Sequence, residues 1–358
     1  MNKHTPYDLK QMQSLPLDAK IIMTQERIRQ WYDHWDGNVY VSFSGGKDST
    51  VLKHIVDGMY ADVPSVFVNT GLEFPEIQRF VNDIKSGKYE CFNTDVEVLR
   101  PAMRFDDVIK RYGYPVVSKE VAQIIYEVRG RLAKGLEAAT YRMKKLNGEC
   151  FDSDGNPSRY NIPQWKYLLD APFDTSHKCC DVMKKSPAKV YEKATKRKPY
   201  IATMAEESAL RFSKWLRFGC NAFEQERATS QPMSFWTEQD VLHYLKRFGV
   251  PYAAVYGDIR KKNKNALENQ LNMIDCLGSY TEDDVLETTG EKRTGCIFCL
   301  FGCHLEPTPN RIQRLKQTHP NQYNYCVNGG EYVDGKWQPS KEGLGLKKVM
   351  EYIGIPYE

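Results

Sequence analysis

Ser44-Gly45-Gly46-Lys47-Asp48-Ser49 stands at a junction between two runs of different periodicity, and that junction decides the fold. Before it, Val39-Tyr40-Val41-Ser42-Phe43 is short, β-branched and aromatic, the composition of a buried strand. After it, Val51, Leu52, Ile55, Val56 and Met59 recur at the spacing of one helix face. A strand that turns through two glycines into a helix makes a cradle for an anion. The glycines let the backbone approach a ligand closely, and the helix N-terminus offers unpaired N–H groups at the positive end of its dipole. Lys47 adds a mobile cation, and Ser44 and Ser49 add hydroxyl donors.

The rest of the first hundred residues repeats the alternation. Ser65–Asn69 reads as a second strand, running into Thr70-Gly71-Leu72-Glu73-Phe74-Pro75-Glu76, where Pro75 suits the first turn of a helix reaching Ile84. Asp95–Leu99 reads as a third strand and Arg104–Tyr112 as a helix. The expected fold class is therefore α/β, a doubly wound and mainly parallel sheet with helices on both faces. Ligands in such sheets bind beyond the carboxyl ends of the strands, where both glycine-bearing segments lie.

Further along, Ile21–Trp35 reads as a helix preceding the first strand, Ser118–Lys145 as one long helix, 147–163 as a loop, and Lys198–Met204 as another strand. Thr237–Phe248 reads as a helix capped by Thr237, with Asp240 three residues on and Gly249 at its end. The segment 257–272 reads as polar, basic and exposed, and 309–317 and 343–353 as closing helices. The expected organisation is a helical extension over 1–36, a nucleotide-binding α/β domain over 37–255 with a helical insertion around 115–175, and a cysteine-rich, helical region over 256–358 packed on it.

Across 358 residues, charged residues make up 27% and hydrophobic ones 41%, ordinary values for a globular protein. No apolar run approaches the roughly 18 residues that span a bilayer, and Met1–Lys20 lacks the apolar core of a signal peptide, so a cytoplasmic location without membrane contact is expected. In that compartment ten cysteines point to metal or redox chemistry rather than to a disulfide scaffold.

The six-residue cradle is not the Gly-x-x-x-x-Gly-Lys-Ser/Thr phosphate loop, since its glycines are adjacent and Asp48 follows the lysine. It resembles the PP-loop of the ATP pyrophosphatases, Ser-Gly-Gly-x-Asp-Ser, over all six positions. That resemblance implies cleavage of ATP between the α and β phosphates, or binding of an already adenylylated substrate, with Mg²⁺ accompanying ATP. It implies Lys47, Asp48 and Ser49 as catalytic, and Ser42, Ser44, Gly45 and Gly46 as further nucleotide contacts. The run from Asn69 to Glu76 resembles the second nucleotide-binding segment of the phosphoadenylyl-sulfate (PAPS) reductase family, which implies Asn69, Thr70, Gly71 and Glu73 as contacts. Met204–Arg211 resembles that family's adenylyl-phosphate segment and implies Glu207, Ser208 and Arg211, although Ala205 and Glu206 stand where the family carries arginines. Pro232–Tyr256, with Trp236, Asp240, Pro251 and Tyr256, is similar to the family as well.

Cys179-Cys180 and Cys296-Ile297-Phe298-Cys299 resemble the adenylyl-sulfate reductase branch, in which four cysteines hold a [4Fe–4S] cluster. Cys220 and Cys303 are alternate ligands, and a Cys₄ zinc site looks similar from sequence. The family's C-terminal Glu-Cys-Gly-Leu-His segment, whose cysteine attacks sulfur, has no counterpart, and no cysteine follows Cys326. The leading expectation is an ATP pyrophosphatase that adenylylates a substrate for sulfur transfer, as in nucleic-acid thiolation or phosphorothioation, with a cysteine desulfurase or other sulfur donor as partner. Alternatives are a sulfonucleotide reductase, or a nucleotide-binding regulator with reduced turnover. Arg129, Arg131, Lys134, Arg142, Lys144 and Lys145, and the run Arg260–Lys264, could meet a nucleic-acid backbone, but at a net charge of only +4 a solvated face is the preferred reading.

Overall fold

The cradle forms as its flanking periodicities require. The computed structural model describes residues 2–136, 140–262, 281 and 283–358. After the helices α1 (Pro6–Gln13) and α2 (Leu17–His34) comes β1 (Val39–Ser42), buried except at its last residue. The turn leads into α3 (Lys47–Met59), followed by β2 (Ser65–Val68), α4 (Pro75–Lys85) and β3 (Val96–Leu99). Then come α5 (Phe105–Tyr112), β4 (Val116–Val117), α6 (Lys119–Leu132), α7 (Tyr141–Asn147), α8 (Ser186–Thr195), β5 (Lys198–Ile201), α9 (Ala209–Phe218), β6 (Asn221–Ala222), β7 (Thr229–Ser230) and α10 (Glu238–Arg247). The strands β8 (Ile259–Lys261), β9 (Leu286–Thr288) and β10 (Leu300–Phe301) precede the closing helices Arg311–Thr318, Pro320–Val327 and Leu346–Ile353.

The chain divides into two compact units, each built from separated segments. The first comprises Met1–Asn69, Glu73–Leu99 and Ala188–Thr294; the second comprises Thr70–Leu72, Arg100–Pro187 and Gly295–Glu358. In the first unit, six strands form one sheet in the order β3-β2-β1-β5-β7-β6. All its pairings are parallel except the β6–β7 edge. This is the mainly parallel, doubly wound sheet expected. Val41, Phe43, Val51, Leu52 and Val56 fill its core. In the second unit β4 pairs in parallel with β10, and Phe173 packs edge-on against Tyr114 and Tyr352.

Residues on both sides of positions 36 and 255 cluster together, because α2 is bonded to later chain within the first unit. The Trp236 indole donates to Thr24 Oγ1 at 2.8 Å, the Tyr200 hydroxyl donates to Ile28 O, and Lys20 pairs with Asp240 at 2.7 Å. The helix expected over 118–145 is two helices: α6 closes at Leu132, and Gly135 turns with φ +65° before α7 begins behind its Thr140 cap. Arg260, exposed as expected, and the half-buried Lys261 lie in β8, paired with β9, while Asn263, Lys264 and the rest of 263–272 lie outside the described residues. The Thr237 cap forms as expected, its side chain accepting from the Asp240 N–H.

One buried ion pair anchors α3 to the sheet. Lys53 Nζ meets Asp57 at 2.9 Å and donates to Ser65 Oγ at 3.0 Å and Asn93 O at 2.9 Å, all but shut off from solvent. Burial lowers the Lys53 pKa and raises that of Asp57, each opposed by the partner's charge. Removing one member strands the other. Asp57→Ala is expected to lower unfolding free energy by about 3–5 kcal/mol, whereas Lys53→Met with Asp57→Leu recovers most of it. Urea denaturation of the two variants checks this; equal losses exclude the pairing argument.

Candidate functional site

The crevice follows from sheet order. β1 lies between β2 and β5, with Ser42 in register with Ile201, so the chain leaves these adjacent parallel strands toward different neighbours. Such a reversal opens a cleft at the carboxyl ends. The Ser44–Ser49 loop leaves β1 there, and the 204–211 segment follows β5.

Gly45 takes φ +71°, and a Cβ on it would stand 2.7 Å from Ile77 Cγ2 on α4, so only glycine fits. Ser49 spends its hydroxyl inside the loop: it donates to Gly46 O at 2.9 Å and accepts from the Ser44 N–H at 3.2 Å. It therefore shapes the cradle, while Ser44 itself is exposed and Ser42 half-buried. Lys47 opens α3. Its N–H points at the Tyr256 hydroxyl at 3.3 Å, and its ammonium meets Glu238 at 3.2 Å, 5.1 Å from the Tyr256 ring centre. Tyr256 in turn lies 2.5 Å from Thr294 Oγ1. Asn69 and Glu73 belong to this unit, whereas Thr70 and Gly71 cluster with the other. There the Thr70 hydroxyl accepts from the Leu72 N–H at 3.2 Å.

Beyond β5, Ser208 caps α9 by accepting from the Arg211 N–H. Glu207 accepts from the Met204 N–H at 2.8 Å and pairs with Arg211, with Arg293 at 3.9 Å. Glu206, standing where the resemblance expects arginine, accepts instead from the Glu238 N–H at 2.7 Å, the first residue of α10. Burial raises the Asp48 pKa, while Lys47, Arg293 and Arg211 pull it down and Glu238 raises it further. Four acids (Asp48, Glu206, Glu207, Glu238) thus interleave with three cations (Lys47, Arg211, Arg293). Arg293, Glu238 and Thr294 escaped sequence reasoning. Arg293 and Thr294 precede the Gly295-Cys296 turn, and their only signal is a Lys-Arg-Thr run after a glycine turn.

In the second unit Cys179, Cys180, Cys296 and Cys299 line a single cavity, with Leu72, Met183 and Lys184 beside them. The Cys-x-x-Cys closes as a turn, the Cys299 N–H donating to Cys296 O at 3.0 Å, and the Ile297 N–H donating to Leu72 O fixes its middle. The Cys179 thiol donates to Cys180 at 4.0 Å. This raises the pKa of Cys179 and lowers that of Cys180, which Lys119 and Lys184 lower further. Lys119 starts α6 just beyond Val117, a β-branched residue held at φ +61°. Such strain concentrates at sites whose surroundings enforce it. The alternates lie elsewhere: Cys303 is buried and does not line the cavity, and Cys220 belongs to the first unit, accepting from Ser234 Oγ at 3.3 Å. Among the described residues, no three His, Cys, Asp or Glu side chains already converge at metal-binding geometry.

The comparisons bear on the cradle half. Residues 38–128 match the phosphoadenosine phosphosulfate reductase domain family. Phosphoadenosine 5′-phosphosulfate reductase of Alkalilimnicola ehrlichii is 35% identical over 78 residues, 22% of this chain and 30% of that protein. The enzyme of that name from Vibrio vulnificus is 27% identical over 97 residues, 27% of this chain and 36% of that protein. The chain thus spans about a third of the length of the curated relatives it matches. The crystal structure of phosphoadenylyl-sulfate (PAPS) reductase from Candida auris aligns at 15% identity with a TM-score of 0.36, over 64% of this chain and 82% of that one. No helix among the described residues is long and apolar enough to cross a membrane. The PP-loop stands at the head of the matched region, so the likeness to the phosphoadenosine phosphosulfate reductase domain rests on residues 38–128.

Proposed function

We propose that this protein is a Mg²⁺-dependent ATP pyrophosphatase that adenylylates an acceptor for sulfur transfer. The charge balance of the cradle carries this reading. A metal-free sulfonucleotide is best met by a surplus of cations, whereas here Asp48, Glu206, Glu207 and Glu238 match or exceed the cations around Lys47. A polyphosphate entering such a site needs a divalent cation with it, and carboxylates are the oxygen ligands Mg²⁺ takes.

The residues then divide the work. Lys47 and the first N–H groups of α3 hold the phosphates at the helix N-terminus. Arg211 and Arg293 neutralise charge that builds as an acceptor oxygen attacks the α phosphorus. The bond from that phosphorus to the bridging oxygen breaks, and pyrophosphate leaves with the electron pair. Asp48, whose pKa burial raises, is proposed to receive the acceptor's proton. Asn69, Glu73 and Ser208 are proposed to orient the nucleoside.

The donor set in the second unit suits a four-thiolate group. Cys179, Cys180, Cys296 and Cys299 would hold a [4Fe–4S] cluster, with Lys119 and Lys184 favouring the thiolate form. Such a cluster would supply redox chemistry, since four thiolates leave no iron open to sulfur. A cysteine desulfurase or other persulfide donor would bring the sulfur to the adenylylated acceptor.

A second reading is favoured by the relatives' own names: reduction of adenylyl sulfate or PAPS to sulfite. It needs an accessible attacking thiol, and Cys326 is fully buried.

Incubation with MgATP, with and without nucleic acids as acceptors, is expected to release pyrophosphate, and Lys47→Ala is expected to lower the rate by at least about 10²-fold. Sulfite release from adenylyl sulfate without pyrophosphate from ATP would instead establish the reductase. Anaerobically purified protein is expected to be brown, with about four iron and four sulfide per chain. Cys179→Ser or Cys296→Ser should lose the colour, while Cys220→Ser and Cys303→Ser keep it. A colourless protein with one zinc overturns the cluster.

A further inference from the structure

The charge of this protein is unevenly distributed. The chain carries a net +4, and residues 129–166 alone hold eight Lys and Arg against four Asp and Glu, so the rest is balanced overall. That segment belongs to the second unit. Its basic residues fall into two groups. Arg129 is structural, donating to Phe173 O at 2.6 Å and Ala171 O at 3.3 Å, and Arg142 pairs with Glu127. Lys134, Lys144, Arg159 and Lys166 are exposed.

Aromatic rings stand among these cations. Tyr141 is 63% exposed and Tyr160 51%. The Lys145 ammonium, tethered to Glu120 at 2.8 Å, lies 5.3 Å from one ring centre and 5.6 Å from the other. Arg159 covers Tyr160 at 5.0 Å and donates to its hydroxyl at 2.9 Å. The arrangement is held rigidly. The Asn161 amide donates to Gly148 O and Cys150 O and accepts from the Cys150 N–H, and the Ile162 N–H donates to Lys145 O, which fastens the Tyr160 loop to α7. Beside Tyr141, between α6 and α7, opens a cavity of about 430 Å³ with Gln123, Thr140 and Arg142 in its wall. That is ample for a nucleobase, with polar groups to meet a base edge.

We propose that this face binds single-stranded nucleic acid, with bases stacking on Tyr141 and Tyr160, one base entering the cavity, and Lys134, Lys144 and Arg159 following the phosphates. Cations alone meet any polyanion. Exposed ring faces in a fixed frame select unpaired bases, which a duplex hides in its stack. The inference goes beyond the nucleotide chemistry above and stands without it.

Fluorescence anisotropy of labelled strands of about 20 nucleotides, titrated with the full chain in the absence of ATP, tests it. DNA and RNA strands run in parallel identify the sugar that is preferred; binding of either or both supports the proposal. Affinity should fall with salt by a log–log slope of about −0.7 per phosphate contacted. Tyr141→Ala with Tyr160→Ala should weaken binding about tenfold or more at an unchanged slope, whereas Lys144→Glu with Arg159→Glu should flatten the slope. Thermal melting confirms that the variants fold, and Tyr141→Leu with Tyr160→Leu replaces the alanine pair if they do not. Duplex bound as tightly as single strand, polyglutamate competing equally well, or tyrosine variants binding like the parent would each overturn the proposal.

Discussion

Parallel pairing of β1 with β5 is the constraint on which the rest depends. Those strands lie more than 150 residues apart in sequence, Val39 opposite Lys198, yet their carboxyl ends share one edge. The glycine turn alone is a local motif. Opposed by the segment after β5, it becomes a crevice with an ionic network, because Arg211 and Glu207 arrive on that segment and Glu238 and Arg293 close around it. The left-handed Gly45 makes the fit close, bringing the loop against Ile77 where no side chain has room.

Much of this was legible from residues alone, for identifiable reasons. The strands at 39, 65, 96 and 198 and the helices at 47 and 75 carry strong local periodicity, and tertiary packing had only to agree with it. The four cysteines proposed as ligands were named from their resemblance to a known arrangement, and they do line one cavity. What stayed illegible was non-local. The stretch 118–145 reads as one continuous helix because its polar pattern continues, while Gly135 breaks the backbone. Ser49 reads as a phosphate donor, but its hydroxyl is taken up by its own loop. Arg293 stands beside the Cys-x-x-Cys run, far in sequence from the nucleotide-binding motifs, and joins the cradle only through folding.

The cradle and the cysteine-lined cavity thus fall in two bodies of different construction. The first unit is a sheet whose core mixes aliphatic side chains with buried aromatics such as Trp31, Tyr200 and Trp236, and its buried charge pair Lys53 with Asp57 is locked by Ser65 and Asn93. The second relies on aromatic edges around Phe173, on short pairings such as β4 with β10, and on a strained Val117 that leads into α6. A protein interior tolerates such strain where surrounding contacts over-determine it, and here those contacts run to the Cys-x-x-Cys turn through the same short strand pair.

The interleaving of the two units has a consequence for how the chain is made. It passes from one unit to the other five times, and the first unit is not complete until residue 294. A ribosome therefore releases β1, β2 and β3 long before β5 is available to flank them. Until then an edge of the nascent sheet remains uncovered, and its closure waits on contacts of high sequence separation. Such a chain folds late in synthesis and as a whole. A cut anywhere between residues 70 and 294 leaves both units without part of themselves.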